Sequence, residues 1–159
     1  PEEISLLRLD GENLTPEIRV TSEAQMHLRI LQERPDINAV VHAHPVTASA
    51  FTTSSTPIRC DLLSEVYVVL DKILMAPYGL TGSDDLADKV ATVARDTNCL
   101  LMRNHGVVAL GKTMLQAFDR LEVIEIAAQT TLIAMNLENV QPMTPTQLKE
   151  IDILFGREK

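Results

Sequence analysis

Residues 38–45 read NAVVHAHP, an apolar run that ends in two histidines and a proline. The two valines favour a short strand, and Pro45 would close it. Side chains two positions apart in a strand share a face. We therefore expect His42 and His44 to lie side by side at the end of a strand.

The sequence around this strand alternates between helical and extended patterns. A helix is expected to start near residue 21 and to end before Pro35, and residues 46–51 could form a second helix. Residues 62–70 are apolar and leave their secondary structure open. Further predicted elements are a short strand at 73–75, a helix capped by Ser83 and ending near 95, strands at 99–102 and 107–110, a long helix at 114–135 and a short helix at 146–154. This alternation predicts an α/β domain, although the order of the strands stays open.

Composition limits the class of protein. The chain has 159 residues, 45% of them hydrophobic, which predicts one packed domain over residues 1–159. The net charge of −8 argues against a nucleic-acid partner. No apolar run reaches the roughly 18 residues that would span a membrane, and the acidic start at residues 1–4 does not resemble a signal peptide. Two isolated cysteines, Cys60 and Cys99, suggest a reduced, cytoplasmic protein.

A third histidine, His105, follows the strand predicted at 99–102 and precedes Gly106. Functional groups often lie at strand ends in open α/β sheets. Neutral imidazole suits zinc, and three protein ligands with one open position are typical of catalytic zinc. The pair of His42 and His44 alone is weak support for a metal, because two histidines held by hydrogen bonds in the core would give the same pattern.

Glu23 is the candidate carboxylate, since it lies in the first turn of the helix that leads into the histidine strand. The positive end of a helix dipole stabilises a negative charge there, which suits a ligand or a base. An ordinary acidic residue that stabilises its helix remains the alternative. His27, one turn later, could be a fourth ligand, but a half-buried helix histidine is the simpler interpretation.

Four blocks in this order and spacing resemble the class II aldolase/adducin family, and the resemblance runs from Pro1 to about Leu137. The blocks are TSE at 21–23, RPDINAVVHAHP at 34–45, APYG at 76–79 and NHG at 104–106. The resemblance implies a layered α/β fold with a central, mainly antiparallel sheet flanked by helices. It also implies Zn²⁺, or another divalent metal, on His42, His44 and His105, an acid/base role for Glu23 and a homotetramer.

The resemblance also marks departures from the family. Members carry Gly-Asn and Thr-Pro-Ser-Gly motifs for the substrate phosphate in a segment that we expect to precede Pro1. Of that phosphate site, Thr21 and Ser22 are present in the chain. The fuculose-type aldolases also place a tyrosine where this chain has Leu63, although Tyr67 lies one helical turn on. They place another in the tail, where residues 153–156 have none.

The resemblance implies a lyase that cleaves a ketose 1-phosphate to dihydroxyacetone phosphate and an aldehyde. The lysines stand in no recognisable active-site motif, which favours a metal over a Schiff base. A pentulose-phosphate 4-epimerase is an alternative, but it commonly has Asp at the position of Glu23. A sugar-phosphate dehydratase or decarboxylase is another. An adducin-like interaction domain would have lost the metal histidines.

Overall fold

The computed structural model describes residues 4–157, so both ends of the predicted 1–159 domain lie outside the described residues. This part of the chain forms six helices and four strands. In chain order they are α1 Ala24–Glu33, β1 Ala39–Ala43, α2 Val46–Phe51, α3 Ser64–Leu70, β2 Leu74–Ala76, α4 Asp84–Ala94, β3 Cys99–Met102, β4 Val107–Gly111, α5 Met114–Ala134 and α6 Pro145–Leu154.

The four strands form one sheet in the order β1-β4-β3-β2. β4 pairs antiparallel with both β1 and β3, and only the β2–β3 pair is parallel. Ala43 faces Val107 at one end of the β1–β4 ladder, and Ala39 faces Gly111 at the other. This register places the end of β1 beside the start of β4. The expected mixed fold with a mainly antiparallel sheet is thereby confirmed.

Helices cover both faces of the sheet. Successive side chains of a strand point to opposite faces, so alternate residues of β3 and β4 belong to two separate hydrophobic clusters. On one face, Leu100 and Val108 pack with buried residues of α1 and α4. On the other face, Leu101 and Val107 pack with buried residues of α2, α3 and α5. The central strands β3 and β4 are therefore buried on both sides. They form a firm support for the loop that connects them.

The start of α1 differs from the prediction, because the helix begins at Ala24 rather than near residue 21. The Thr21 hydroxyl accepts a hydrogen bond from the Glu23 N–H, and the Thr21 carbonyl accepts one from Ala24. These local bonds form a turn that competes with the helix. The end before Pro35 is confirmed, since the last helical residue is Glu33.

The remaining elements agree closely with the sequence patterns. The segment 62–70, whose secondary structure the sequence left undecided, contains the helix α3, which starts at Ser64. Ser83 caps α4, and its hydroxyl accepts a hydrogen bond from the Leu86 N–H at 3.1 Å. Cys60 and Cys99 are both free thiols. Among residues 4–157, no helix is long and apolar enough to cross a membrane.

Candidate metal centre

Three histidines meet where β1 ends and β3 turns into β4. His42 is in β1, His44 is the first residue after this strand, and His105 lies in the β3–β4 turn. The ring centroids are 4.7 Å apart for His42 and His44, 5.0 Å for His42 and His105, and 5.1 Å for His44 and His105. The predicted convergence of these side chains is confirmed.

The nitrogen atoms that these rings can offer lie within 4.8 Å of one another. One ion with ligands at about 2.0–2.1 Å could be shared after small side-chain rotations. Of residues 4–157, no other histidine, cysteine or carboxylate joins this group. The cluster therefore offers three imidazoles and leaves further coordination positions open, which is the donor set expected of a catalytic divalent metal.

The tautomer of His42 follows from its hydrogen bond to the backbone. Its Nδ1 lies 2.9 Å from the carbonyl oxygen of Val107, so Nδ1 carries the proton and donates it. The opposite nitrogen, Nε2, is buried and has no hydrogen-bond partner in the described structure. A carbonyl that fixes the ring and leaves the other nitrogen free is the usual partner of a metal-binding histidine. His42 is thus oriented to offer Nε2 to an ion.

Burial favours the neutral form of two of the rings, those of His42 and His105. Desolvation is the largest cause that lowers the pKa of His42, and the nearby His105 and His44 lower it further, while Val107 and Glu23 oppose the change. Burial also lowers the pKa of His105, with Glu23 again opposing. A neutral imidazole keeps a lone pair for a metal. The environment therefore maintains the form of histidine that can act as a ligand.

Gly106 allows the three rings to come together. A Cβ placed on Gly106 would lie 2.6 Å from Cδ2 of His44, 2.7 Å from the carbonyl oxygen of Ala43 and 3.2 Å from Cε1 of His42. Such distances are far inside van der Waals contact, so only glycine fits. Sequence reasoning missed this packing role of Gly106, and the NHG block at 104–106 is the signal that could have indicated it.

Glu23 occupies the position just before α1, with 8% of its surface exposed. Its carboxylate oxygens are both buried without a hydrogen-bond partner among residues 4–157, and the side chain does not cap the helix. Burial lowers the pKa of His27, His42 and His105, and the negative charge of Glu23 opposes that lowering at all three, so this carboxylate acts electrostatically on the cluster. A helix-stabilising acid would be solvated or bonded to the helix start, so this environment argues against that alternative.

The other predicted residues surround the cluster in different ways. Thr21 and Ser22 are exposed at the turn before Glu23. His27 is half-buried, hydrogen bonds to the backbone of Val40 and lies outside the three-histidine group. It therefore matches the simpler interpretation of a half-buried helix histidine.

Tyr67 makes two contacts through its side chain in the described structure. Its hydroxyl donates to Asp152 of α6 at 2.9 Å, and the guanidinium of Arg157 lies 4.8 Å from its ring centroid. Leu63, where the fuculose-type aldolases have a tyrosine, is exposed and precedes α3. Leu63 therefore offers no hydroxyl at this position, and the hydroxyl of Tyr67 is already hydrogen-bonded to Asp152.

Comparison with known proteins identifies the family and supports the fold. Residues 1–132 match the family described as the class II aldolase and adducin N-terminal domain. L-fuculose phosphate aldolase of Methanococcus maripaludis is 35% identical over 137 residues, which are 86% of this chain and 73% of that protein. A 3-oxo-tetronate 4-phosphate decarboxylase of Haemophilus influenzae is 28% identical over 155 residues, covering 95% of this chain and 73% of that protein.

A solved structure of L-fuculose 1-phosphate aldolase superposes with a TM-score of 0.85 at 25% identity. The match covers 96% of this chain and 71% of that one. The sequence match and the fold match therefore agree. The chain belongs to the class II aldolase and adducin family.

Proposed function

We propose that this chain is a metal-dependent aldehyde-lyase that cleaves a ketose 1-phosphate to dihydroxyacetone phosphate and an aldehyde. The observation that carries the proposal is the cluster of His42, His44 and His105, together with a carboxylate, Glu23, that is buried without a hydrogen-bond partner among residues 4–157 and acts electrostatically on His42 and His105. An interaction domain gains nothing from burying such groups, whereas a reaction that moves a proton next to a metal uses both.

The three histidines would hold the metal, and we propose Zn²⁺ as the ion. A divalent cation there supplies Lewis-acid stabilisation for the negative charge that develops on the substrate oxygens when the C3–C4 bond breaks. The three imidazoles add no negative charge to the site, so they leave the full charge of the ion to act on the substrate. The carbonyl of Val107 keeps His42 in the orientation that the ion requires.

Glu23 would act as the acid/base group. Its carboxylate has no competing partner among the described residues and lies close enough to influence the histidines electrostatically. We propose that it holds and returns the proton at the substrate carbon that carries the electron pair after cleavage. Thr21 and Ser22 would donate hydrogen bonds to the substrate phosphate from the exposed turn that precedes Glu23.

A second candidate is decarboxylation of a sugar-acid phosphate. The relative named 3-oxo-tetronate 4-phosphate decarboxylase supports it, because its similarity extends over nearly the whole chain. Loss of carbon dioxide from a 3-oxo acid leaves an electron pair next to a carbonyl, as the aldol cleavage does. The same metal and the same proton carrier would serve both reactions. Dehydration and 4-epimerisation have no comparable observation in their favour.

The test is an assay of the purified, zinc-loaded protein on both classes of substrate. Ketose 1-phosphates, L-fuculose 1-phosphate among them, should yield dihydroxyacetone phosphate, and a 3-oxo-tetronate 4-phosphate should yield little carbon dioxide. Decarboxylation of a 3-oxo-tetronate 4-phosphate also leaves dihydroxyacetone phosphate, so the two reactions are told apart by carbon dioxide and by the substrate consumed. Rapid release of carbon dioxide from the 3-oxo-tetronate 4-phosphate, with no cleavage of the ketose 1-phosphates, would support the second candidate. The homotetramer and the cytoplasmic location remain predictions that need separate measurements.

A further inference from the structure

The short helix α2 starts two residues after His44. Two backbone N–H groups of its first turn donate hydrogen bonds to a carboxylate from a distant part of the chain. Glu125 of α5 accepts the N–H of Thr47 through Oε1 at 3.0 Å and the N–H of Ala48 through Oε2 at 2.8 Å. The Gln129 side chain, one turn later in α5, donates to Oε1 at 3.0 Å. Both oxygens of Glu125 are thus engaged, and both fix the start of α2.

The far end of α2 is tied to the loop that carries His105. The carbonyl of Thr52, the residue after α2, accepts the backbone N–H of Asn104 at 3.2 Å and the guanidinium of Arg103 at 3.1 Å. Asn104 has a φ of +56°, in the left-handed region that few residues other than glycine adopt. α2 is therefore a bridge between the segment behind His44 and the segment in front of His105.

α2 depends on these outside contacts for its position. It has six residues, and a helix of that length is not stable without tertiary support. Pro45 restricts the backbone of His44, so a displacement of α2 is passed directly to this ligand. Ala48 is fully buried, so its N–H has no access to water if the carboxylate is removed.

We propose that Glu125 is a positioning residue for the three-histidine site, which holds His44 and the His105 loop in register by anchoring α2. This inference rests on the proposed metal site. The carboxylate suits the task because it offers an acceptor to each of two adjacent N–H groups. A glutamine has one carbonyl oxygen, so its amide group would oppose one of the two donors.

The first experiment compares metal binding by the wild type and two variants. Glu125→Gln retains one acceptor and Glu125→Met retains none, while Glu122→Gln, at an exposed position of the same helix, is the control. The dissociation constant for Zn²⁺ is measured by competition with a chelator. We expect affinity to fall on the order of 10-fold for Glu125→Gln and further for Glu125→Met, with Glu122→Gln unchanged.

The visible absorption of Co²⁺ at saturation reports ligand geometry, which a role confined to stability would leave unchanged. It should change in the Glu125 variants and stay constant in Glu122→Gln. Failure of the wild type to bind metal would refute the proposed metal site. Metal binding by the wild type and both Glu125 variants with the same affinity and the same Co²⁺ spectrum would overturn the positioning role alone.

A second experiment needs only the wild type. If α2 and the metal site are coupled, metal loading must stabilise the bonds to Glu125, because coupling between two sites is reciprocal. Amide hydrogen exchange of Thr47 and Ala48 should therefore slow on addition of Zn²⁺ by more than that of Leu86. The Leu86 N–H is the control, because it donates to the Ser83 hydroxyl that caps α4. Equal slowing at all three amides, or none, would contradict the coupling.

Discussion

Gly106 and His44 approach so closely that a Cβ on Gly106 would lie 2.6 Å from Cδ2 of the histidine ring. The contact joins the β3–β4 turn to the residue that follows β1. Because Ala43 pairs with Val107 in the sheet, the backbone at this corner has little freedom to yield. The packing of the site thus requires that residue 106 has no Cβ, which only glycine provides.

The Gly106→Ala variant should lose metal affinity, because the new methyl group must displace His44 or the carbonyl of Ala43. We expect Zn²⁺ binding to weaken on the order of 10-fold or more. Gly111→Ala is the matched control, since its Cβ would meet the backbone of Ala117 at 2.6 Å, away from the histidines. It should lower the melting temperature while the folded protein keeps its metal affinity. Equal metal affinity in wild type and Gly106→Ala would contradict the packing argument.

Replacement of Glu23 by Gln should separate activity from stability. As the proton carrier, Glu23 should contribute on the order of 10²-fold to kcat. A buried carboxylate without a partner is costly to folding, so the variant should melt at the same temperature or higher when metal-free. Steady-state kinetics and thermal melts check both parts. Normal turnover in Glu23→Gln, or a clear loss of stability, would indicate a structural role instead.

Arg34 should contribute to stability rather than to the reaction. Its guanidinium donates to the carbonyl of Ala94 at 2.6 Å, to the side chain of Asn98 at 2.8 Å and to both oxygens of Asp36. Arg34→Met should lower the free energy of unfolding by about 2 kcal/mol, since charged hydrogen bonds to partly buried groups are lost. Urea unfolding measures the change. Zinc binding by the folded variant should match the wild type.

The same contact predicts a pH effect at Asp36. The hydrogen bonds from Arg34 are the largest cause that lowers the pKa of Asp36 to about 2. A depressed folded-state pKa means that the stabilisation is present above the unfolded value, near 4, and is lost as the pH falls towards 2. An NMR titration should show Asp36 titrating near 2 in the wild type and near 4 in Arg34→Met. A value near 4 in the wild type would contradict the ion pair.

The long helix α5 leaves apolar side chains exposed, and the homotetramer that we predict would bury them. Leu115, Phe118 and Ile133 are 77%, 48% and 61% exposed. Burial of such residues against other copies would favour assembly. Light scattering should give a mass near four times that of the chain, and Phe118→Glu with Ile133→Glu should reduce it. Asp119→Lys serves as the control. A monomeric wild type at micromolar concentration would rule the assembly out.

Local signals predicted much of this fold. Ser83 capping α4 and Pro35 ending α1 act within a few residues of where they stand, so both could be identified from the sequence. The start of α1 was misplaced because the Thr21 turn and the helix use the same residue types. The convergence of His42 and His44 followed from the two-residue period of a strand.

Long-range contacts could not be predicted in this way. The carbonyl of Val107 that orients His42 is 65 residues away in sequence, and Glu125 lies 77 and 78 residues from the amides it accepts. Such pairs arise from the order of strands and the packing of α5, for which the sequence has no local pattern. The resemblance to a family indicated where the ligands lie, but not which residues hold them there.

Metal analysis of the purified protein tests the central claim most directly. The wild type should carry about one equivalent of zinc or another divalent metal per chain after dialysis, and a His44→Ala, His105→Ala double variant should carry almost none. The double variant should keep a cooperative unfolding transition, which shows that the loss is local. One tightly held equivalent in the double variant, or none in the wild type after incubation with zinc, would contradict the assignment of His42, His44 and His105 as the metal ligands.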